Sequence, residues 1–186
     1  MTTPIHAPAG ILDANYEFFE ENGEVYFTYN RCTHEFYDLD VSVAALLRDD
    51  LEQHPKAVKA LESIGIVNPM AQIKQWAICN FGNFDNKADL TADGVIIHEH
   101  VNCAHRSNCK FEGIICLPLM VINGTLTTRE VQIIKLVARD FLDKQISFML
   151  NISPATTAVH RTHIEQKIGC HSKAGITAYA YQNNLL

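Results

Sequence analysis

The chain has 186 residues, 47% of them hydrophobic and 19% charged, and a formal net charge of −6. That is the composition of a soluble protein long enough to bury one or two cores. No apolar run approaches the ~20 residues of a membrane helix, and the opening MTTPIHAPAG lacks the charged and apolar regions of a signal peptide, so a cytoplasmic protein with no membrane partner is expected.

In chain order, residues 1–12 have no periodicity and are expected to be a flexible leader. From Glu24 to Asn30, Val25, Phe27 and Tyr29 alternate with more polar neighbours, which predicts a half-buried strand. Asp40 is placed to cap a helix carrying Val41, Val43, Ala44, Leu46, Leu47 and Leu51, which should stop near His54. Pro55 fits the first position of a second helix, from Lys56 to Ile64, with Gly65 placed to end it. Asn68-Pro69 repeats the start signal for a third helix through Ile73, Trp76, Ala77 and Cys79. The stretch NFGNFDNKADLTADG that follows reads as a loop, and Val95 to Val101 as a second strand. Leu117 to Gly124 then connects to the last third, with the domain boundary expected at 118–125, where Pro118, Asn123 and Gly124 collect.

From Leu126 to Gly169 the pattern is that of three amphipathic helices. The first places Val131, Ile134, Val137, Ala138 and Phe141 on one face, and the second packs Ile146, Met149 and Leu150. After a turn at Asn151-Ile152-Ser153, a third runs from about Pro154 to Ile168. Two short helices joined by a tight turn, the second polar outside, form the helix-turn-helix that enters a DNA major groove. The charge is divided accordingly. Residues 125–186 hold seven basic and four acidic side chains, net +3, and the first 124 residues carry −9.

The segment resembles the LuxR-type (GerE-like) helix-turn-helix. The resemblance rests on Leu126-Thr127, Arg129-Glu130, Leu136-Val137-Ala138, Lys144, Ile146, Leu150, Ser153, Thr156, His160-Arg161, Ile164, Lys167 and Gly169, and covers about 60 residues to Leu186. It implies a four-helix C-terminal domain, residues 125–186, that binds double-stranded DNA as a homodimer paired through the last helix, about Ser172 to Asn183. Lys144 would face a phosphate, and Ser153 would cap the recognition helix. The outward face of that helix would comprise Thr156, Thr157, Ala158, Arg161, Thr162 and Lys167. Arg161 and Lys167 are the expected phosphate contacts, with Thr157 and Thr162 reaching base edges. Val159, Ile164 and Ile168 would hold the other side, although the family also uses the position of Val159 for apolar base contact. The chain departs from the family where Ala158 and Thr162 replace frequently basic residues, Thr157 the usual valine and Asp140 a glycine.

Residues 13–120 read as an acidic α+β domain, so the fold class expected is mainly α with a small β element. They lack the strand–helix alternation and acidic pair of a phosphoacceptor domain, and do not match acyl-homoserine-lactone-binding domains. Of six cysteines, Cys79, Cys103, Cys109 and Cys116 bracket the second predicted strand. In a cytoplasmic chain disulfides are improbable, and four thiolates suit zinc or an iron–sulfur cluster. No Cys-x2–4-Cys pair decides between them, reduced structural cysteines with no metal remain the third reading, and His98, His100 and His105 are alternative ligands. FGNFDNKADLTADG followed by EHVNCAHRSNCKFEGIIC resembles the front end of Bacteroidetes-type LuxR-family regulators, which names a kind of protein without a ligand.

No oxyanion-hole signature, Gly-rich phosphate loop or paired-carboxylate text accompanies the one Cys/His pair on offer, Cys109 and His105, so an enzyme is not expected. Two functions stay open. One is a transcription regulator controlled by a metal, redox or protein signal at its front domain; the other is a non-enzymatic interaction module on a degenerate helix-turn-helix.

Overall fold

Tyr16, Phe18, Val25, Phe27 and Tyr29 supply the apolar face of a three-stranded antiparallel sheet in the order β1 (Glu17–Glu21), β2 (Glu24–Tyr29), β3 (Cys32–Glu35). Phe18 lies opposite Phe27 in the register, and both are buried with Val25. The β1–β2 turn is Asn22-Gly23, both at positive φ, the residue pair that fits the right-handed twist of a two-residue hairpin. The computed structural model describes residues 7–106, 108–183 and 185–186.

The leader expected over 1–12 lies outside the described residues as far as residue 6, and from there it is not loose. Ala9 is buried and its carbonyl accepts from the Thr28 hydroxyl, while the Gly10 carbonyl accepts from the Arg31 amide at 2.9 Å. Gly10 stands at φ +76°, and a Cβ there would lie 2.3 Å from the Thr28 carbonyl oxygen, so only glycine fits.

Three helices cover this sheet's end of the chain: α1 (Val41–Glu52), α2 (Pro55–Ser63) and α3 (Pro69–Phe81). Pro55 and Pro69 stand in the first turns and the Asn68 side chain accepts from the Ala71 amide, as their signals predict, whereas Asp40 precedes α1 without a side-chain capping bond. Val43, Ala44, Leu47 and Leu51 of α1 face the core, whereas Val41 and Leu46, expected on the same face, are exposed. Trp76 is fully buried among Phe18, Phe36, Leu47, Leu51, Ile73 and Phe81.

The second strand predicted at Val95–Val101 does not form; its pairing is limited to an isolated bridge between Leu90 and Ile96. The alternation is real, because Val95 and Ile97 point out and Ile96, His98 and His100 point in. Side chains and loop backbone replace the ladder. His98 Nε2 lies 2.9 Å from Asp50 Oδ2, which also accepts from Trp76 Nε1 at 2.7 Å, and the Glu99 amide donates to the Asn80 carbonyl at 3.0 Å. Asn80, fully buried on α3, donates to the Trp76 and Ile115 carbonyls and accepts from the Leu117 amide. Asn80→Ala would leave a buried carbonyl and amide unsatisfied and is expected to cost about 2–3 kcal/mol. Urea unfolding followed by fluorescence of Trp76, the sole tryptophan, measures it; a loss under about 0.5 kcal/mol would contradict this account.

The chain divides into two compact units between Leu117 and Pro118. The second unit begins with a hairpin, β4 (Met120–Val121) and β5 (Gly124–Thr125), where the sequence suggested only a connector. Four helices follow: α4 (Thr128–Ala138), α5 (Asp143–Met149), α6 (Pro154–Ile168) and α7 (Lys173–Gln182). Among the described residues no helix is long and apolar enough to cross a membrane.

Candidate nucleic-acid interface

The second unit is built on α4. Thr127 and Glu130 form a reciprocal capping box: the Thr127 hydroxyl accepts from the Glu130 amide at 3.2 Å, and Glu130 Oε2 accepts from the Thr127 amide at 2.8 Å. Val131, Ile133, Ile134, Leu136 and Val137 are buried against Ile146, Ile164, Ile168, Ile176, Ala180 and Leu185 from α5, α6, α7 and the chain end. Helix α4 ends at Ala138, and Asp140 follows at φ +65°, a conformation that glycine adopts most easily; its carboxylate accepts from Lys173 at 2.8 Å, and that ammonium holds it below the usual carboxylate range.

Helix α5 buries Ile146 and Ser147 and turns Phe148 outward, 87% exposed. Met149, expected in the core, is half exposed, whereas Leu150 packs against the core as expected. Asn151 at φ +51° reverses the chain, and the Ser153 hydroxyl accepts from the Thr156 amide at 3.0 Å to cap α6, with Pro154 in the first turn. At the far end Gly169 adopts the left-handed cap and the Cys170 amide donates to the Glu165 carbonyl. The β4–β5 turn grips that end, as the Asn123 amide and side chain donate to the Lys167 and Gln166 carbonyls.

The predicted interface residues separate into three groups. Thr156, Ala158, Val159 and Thr162 lie exposed on α6, and Lys144 is exposed on α5. Thr157 is fully buried with its hydroxyl donating to the Ser153 carbonyl, so it fills the family's valine position in the core and cannot reach a base. Val159, expected to hold the inner side, is 52% exposed; Ile164 and Ile168 are buried as expected.

The third group is the two strong cations of α6. Arg161 Nη1 donates to both oxygens of Asp143, at 2.7 and 2.9 Å, with Glu165 at 3.8 Å from its Nε. Lys167 Nζ donates to both oxygens of Glu130, at 2.7 and 2.9 Å. Burial works to raise the Glu130 carboxyl, but bonds from Lys167 and Thr127 outweigh it and leave it below the ordinary range. Both cations therefore bind α6 to its own scaffold. Sequence spacing gave no sign of this, because Glu130 and Lys167 are 37 residues apart.

In the first unit, Cys79 lies on α3 with Gln75 Nε2 3.4 Å from its sulfur, Cys103 is exposed, Cys109 is half-buried and Cys116 is buried. Burial pushes the Cys79 thiol up to about 11, and the neighbouring Cys116, Cys103 and Cys109 add to the rise. Although the four are neighbours, among the described residues no group of three or more His, Cys, Asp or Glu side chains converges so as to hold a metal ion. In this arrangement the raised Cys79 thiol keeps its proton and packs on α3 as a small hydrophobe does. His98, an alternative ligand, is instead paired with Asp50.

Residues 124–180 match the family of bacterial regulatory proteins described as the luxR family. The chain is also similar to the oxygen regulatory protein NreC of Staphylococcus aureus strains JH9, Mu3 and NCTC 8325, at 38% identity over 61 residues in each case. That stretch is 33% of this chain and 28% of each relative, so the chain spans little more than a quarter of the length of these curated relatives. No solved structure matches it.

Proposed function

We propose that the protein is a non-enzymatic, DNA-binding transcription regulator of the cytoplasm that places α6 in the major groove and works as a homodimer. The observation that carries this reading is the Ser153-capped α6, its outer face exposed, within a segment matching a family of bacterial regulatory proteins. The amides of its first turn and Lys144 supply phosphate contacts at one edge. Helix α7, with Tyr181 exposed, is the pairing surface that the family resemblance suggests. The acidic first unit, with its four neighbouring cysteines, receives a protein or redox signal.

A second reading is a protein-interaction module. It is favoured by the internal pairing of Arg161 and Lys167 and by the exposure of Leu142, Phe148 and Met149 around α5. Titration of the full chain against genomic fragments at two salt concentrations separates the readings. A regulator gives a specific shift whose affinity falls with salt; no specific shift and no salt slope would leave the interaction module. Lys144→Ala is expected to weaken binding evenly across sequences and to reduce the salt slope by about one.

A further inference from the structure

Ala155, Ala158, Val159, Thr162, His163 and Gln166 are all exposed, and their spacing of three and four residues puts them on one side of α6. Neither Arg161 nor Lys167 is among them, and both are committed elsewhere, Arg161 to Asp143 and Lys167 to Glu130. Thr162 donates its hydroxyl proton to the Ala158 carbonyl at 3.2 Å, which leaves its methyl group and the oxygen's acceptor lone pairs for a new contact. The Thr156 hydroxyl, at the helix start, lies 2.8 Å from that of Ser153.

Guanine is read in the major groove chiefly by arginine or lysine donating to O6 and N7, whereas thymine offers a methyl group that apolar side chains contact. With Arg161 and Lys167 withdrawn and Ala158, Val159 and Thr162 exposed side by side, the first two turns of this helix suit the second chemistry. We propose that Ala158, Val159 and Thr162 determine specificity by packing on thymine methyls, so that the bases facing the first two turns of α6 are A·T pairs. Gln166, further along the same side, is of the type that pairs with adenine N6 and N7. The inference rests on the DNA-binding reading above and narrows it to a class of operator.

The test starts from duplexes selected by the full-length protein out of a random library. Each thymine of the selected half-site is then replaced by deoxyuridine, which keeps every hydrogen bond and removes only the methyl. At the contacted positions affinity is expected to fall about fourfold per methyl. Thr162→Ser, at an exposed position that does not endanger folding, is expected to abolish that difference at its own thymine alone. A specific complex indifferent to deoxyuridine at every position, or a half-site centred on G·C pairs, overturns the inference while leaving DNA binding intact. Selection of no sequence at all overturns the DNA-binding reading and this inference with it.

Discussion

Glu17→Gln is expected to raise the stability of the N-terminal unit by about 2–4 kcal/mol at pH 8 and to change it little at pH 5. Glu17 sits on β1 with 1% of its surface exposed. One carboxyl oxygen accepts from the Asp85 amide at 2.6 Å, and the other is buried with no hydrogen-bond partner among the described residues. Burial, followed by the charges of Asp85 and Glu99, pushes its pKa up to about 9, against the opposing Asp85 amide bond. Its neighbours share the difficulty. Asp89, which accepts from the Phe18 amide at 2.7 Å, is raised by burial and by Glu17, and burial lifts Glu99 to about 7.

A carboxyl with a raised folded pKa keeps a proton that the unfolded chain releases. Its contribution to stability is therefore complete below about pH 4.5, the ordinary value, and is lost as pH rises toward 9. The wild-type unit should accordingly weaken from pH 5 to pH 8. Glutamine stays neutral throughout and preserves the acceptor for the Asp85 amide. Urea titrations at both pH values, read by Trp76 fluorescence, test this. Parallel pH dependence in wild type and variant would show that Glu17 is not the group responsible.

Glu130→Ala is expected to destabilise the second unit by about 3 kcal/mol. The substitution removes half of the capping box on α4 and leaves the partly buried Lys167 ammonium without its carboxylate. Because Glu130 has a lowered pKa in the folded chain, its contribution is present above the ordinary carboxyl range and is lost as pH falls through the folded value. The variant should thus converge on the wild type in acid. Hydrogen exchange of α4 and α6 amides measures the effect in this unit alone. Protection unchanged at pH 7 would mean that the Lys167 pair is a surface contact of little consequence. Any gain in DNA affinity from the freed Lys167 would appear as a steeper salt slope at temperatures where the variant stays folded.

Where a start or stop depends on one local group, the residues were enough. Pro55, Asn68-Pro69, Ser153-Pro154 and Gly169 mark helix ends because each satisfies, removes or reorients a particular backbone amide within a turn of itself. Asn22-Gly23 marks the first hairpin in the same way, although Glu17 and Glu20 interrupt the apolar run of β1 and mask its periodicity. The segment Val95–Val101 departs from its pattern for the opposite reason. Its alternation is that of a strand, but whether a strand forms depends on a partner edge, and here Asp50, Asp89 and Asn80 take its side-chain and backbone groups. The candidate interface shows the same division. The cap, turn and extent of α6 were legible, whereas the burial of Thr157 and the capture of Arg161 and Lys167 were not.

The sequence by itself determined the helical framework of the second unit and its kinship with the luxR family over residues 124–180, because capping and apolar periodicity act over a few residues. Only the tertiary structure decided which of the framework's charges are free. A carboxylate 37 positions away in the chain claims Lys167, and burial drives Glu17 and Cys79 toward their neutral forms. Charge pairing and desolvation depend on distance in space and access to water, and neither is written in the order of the residues.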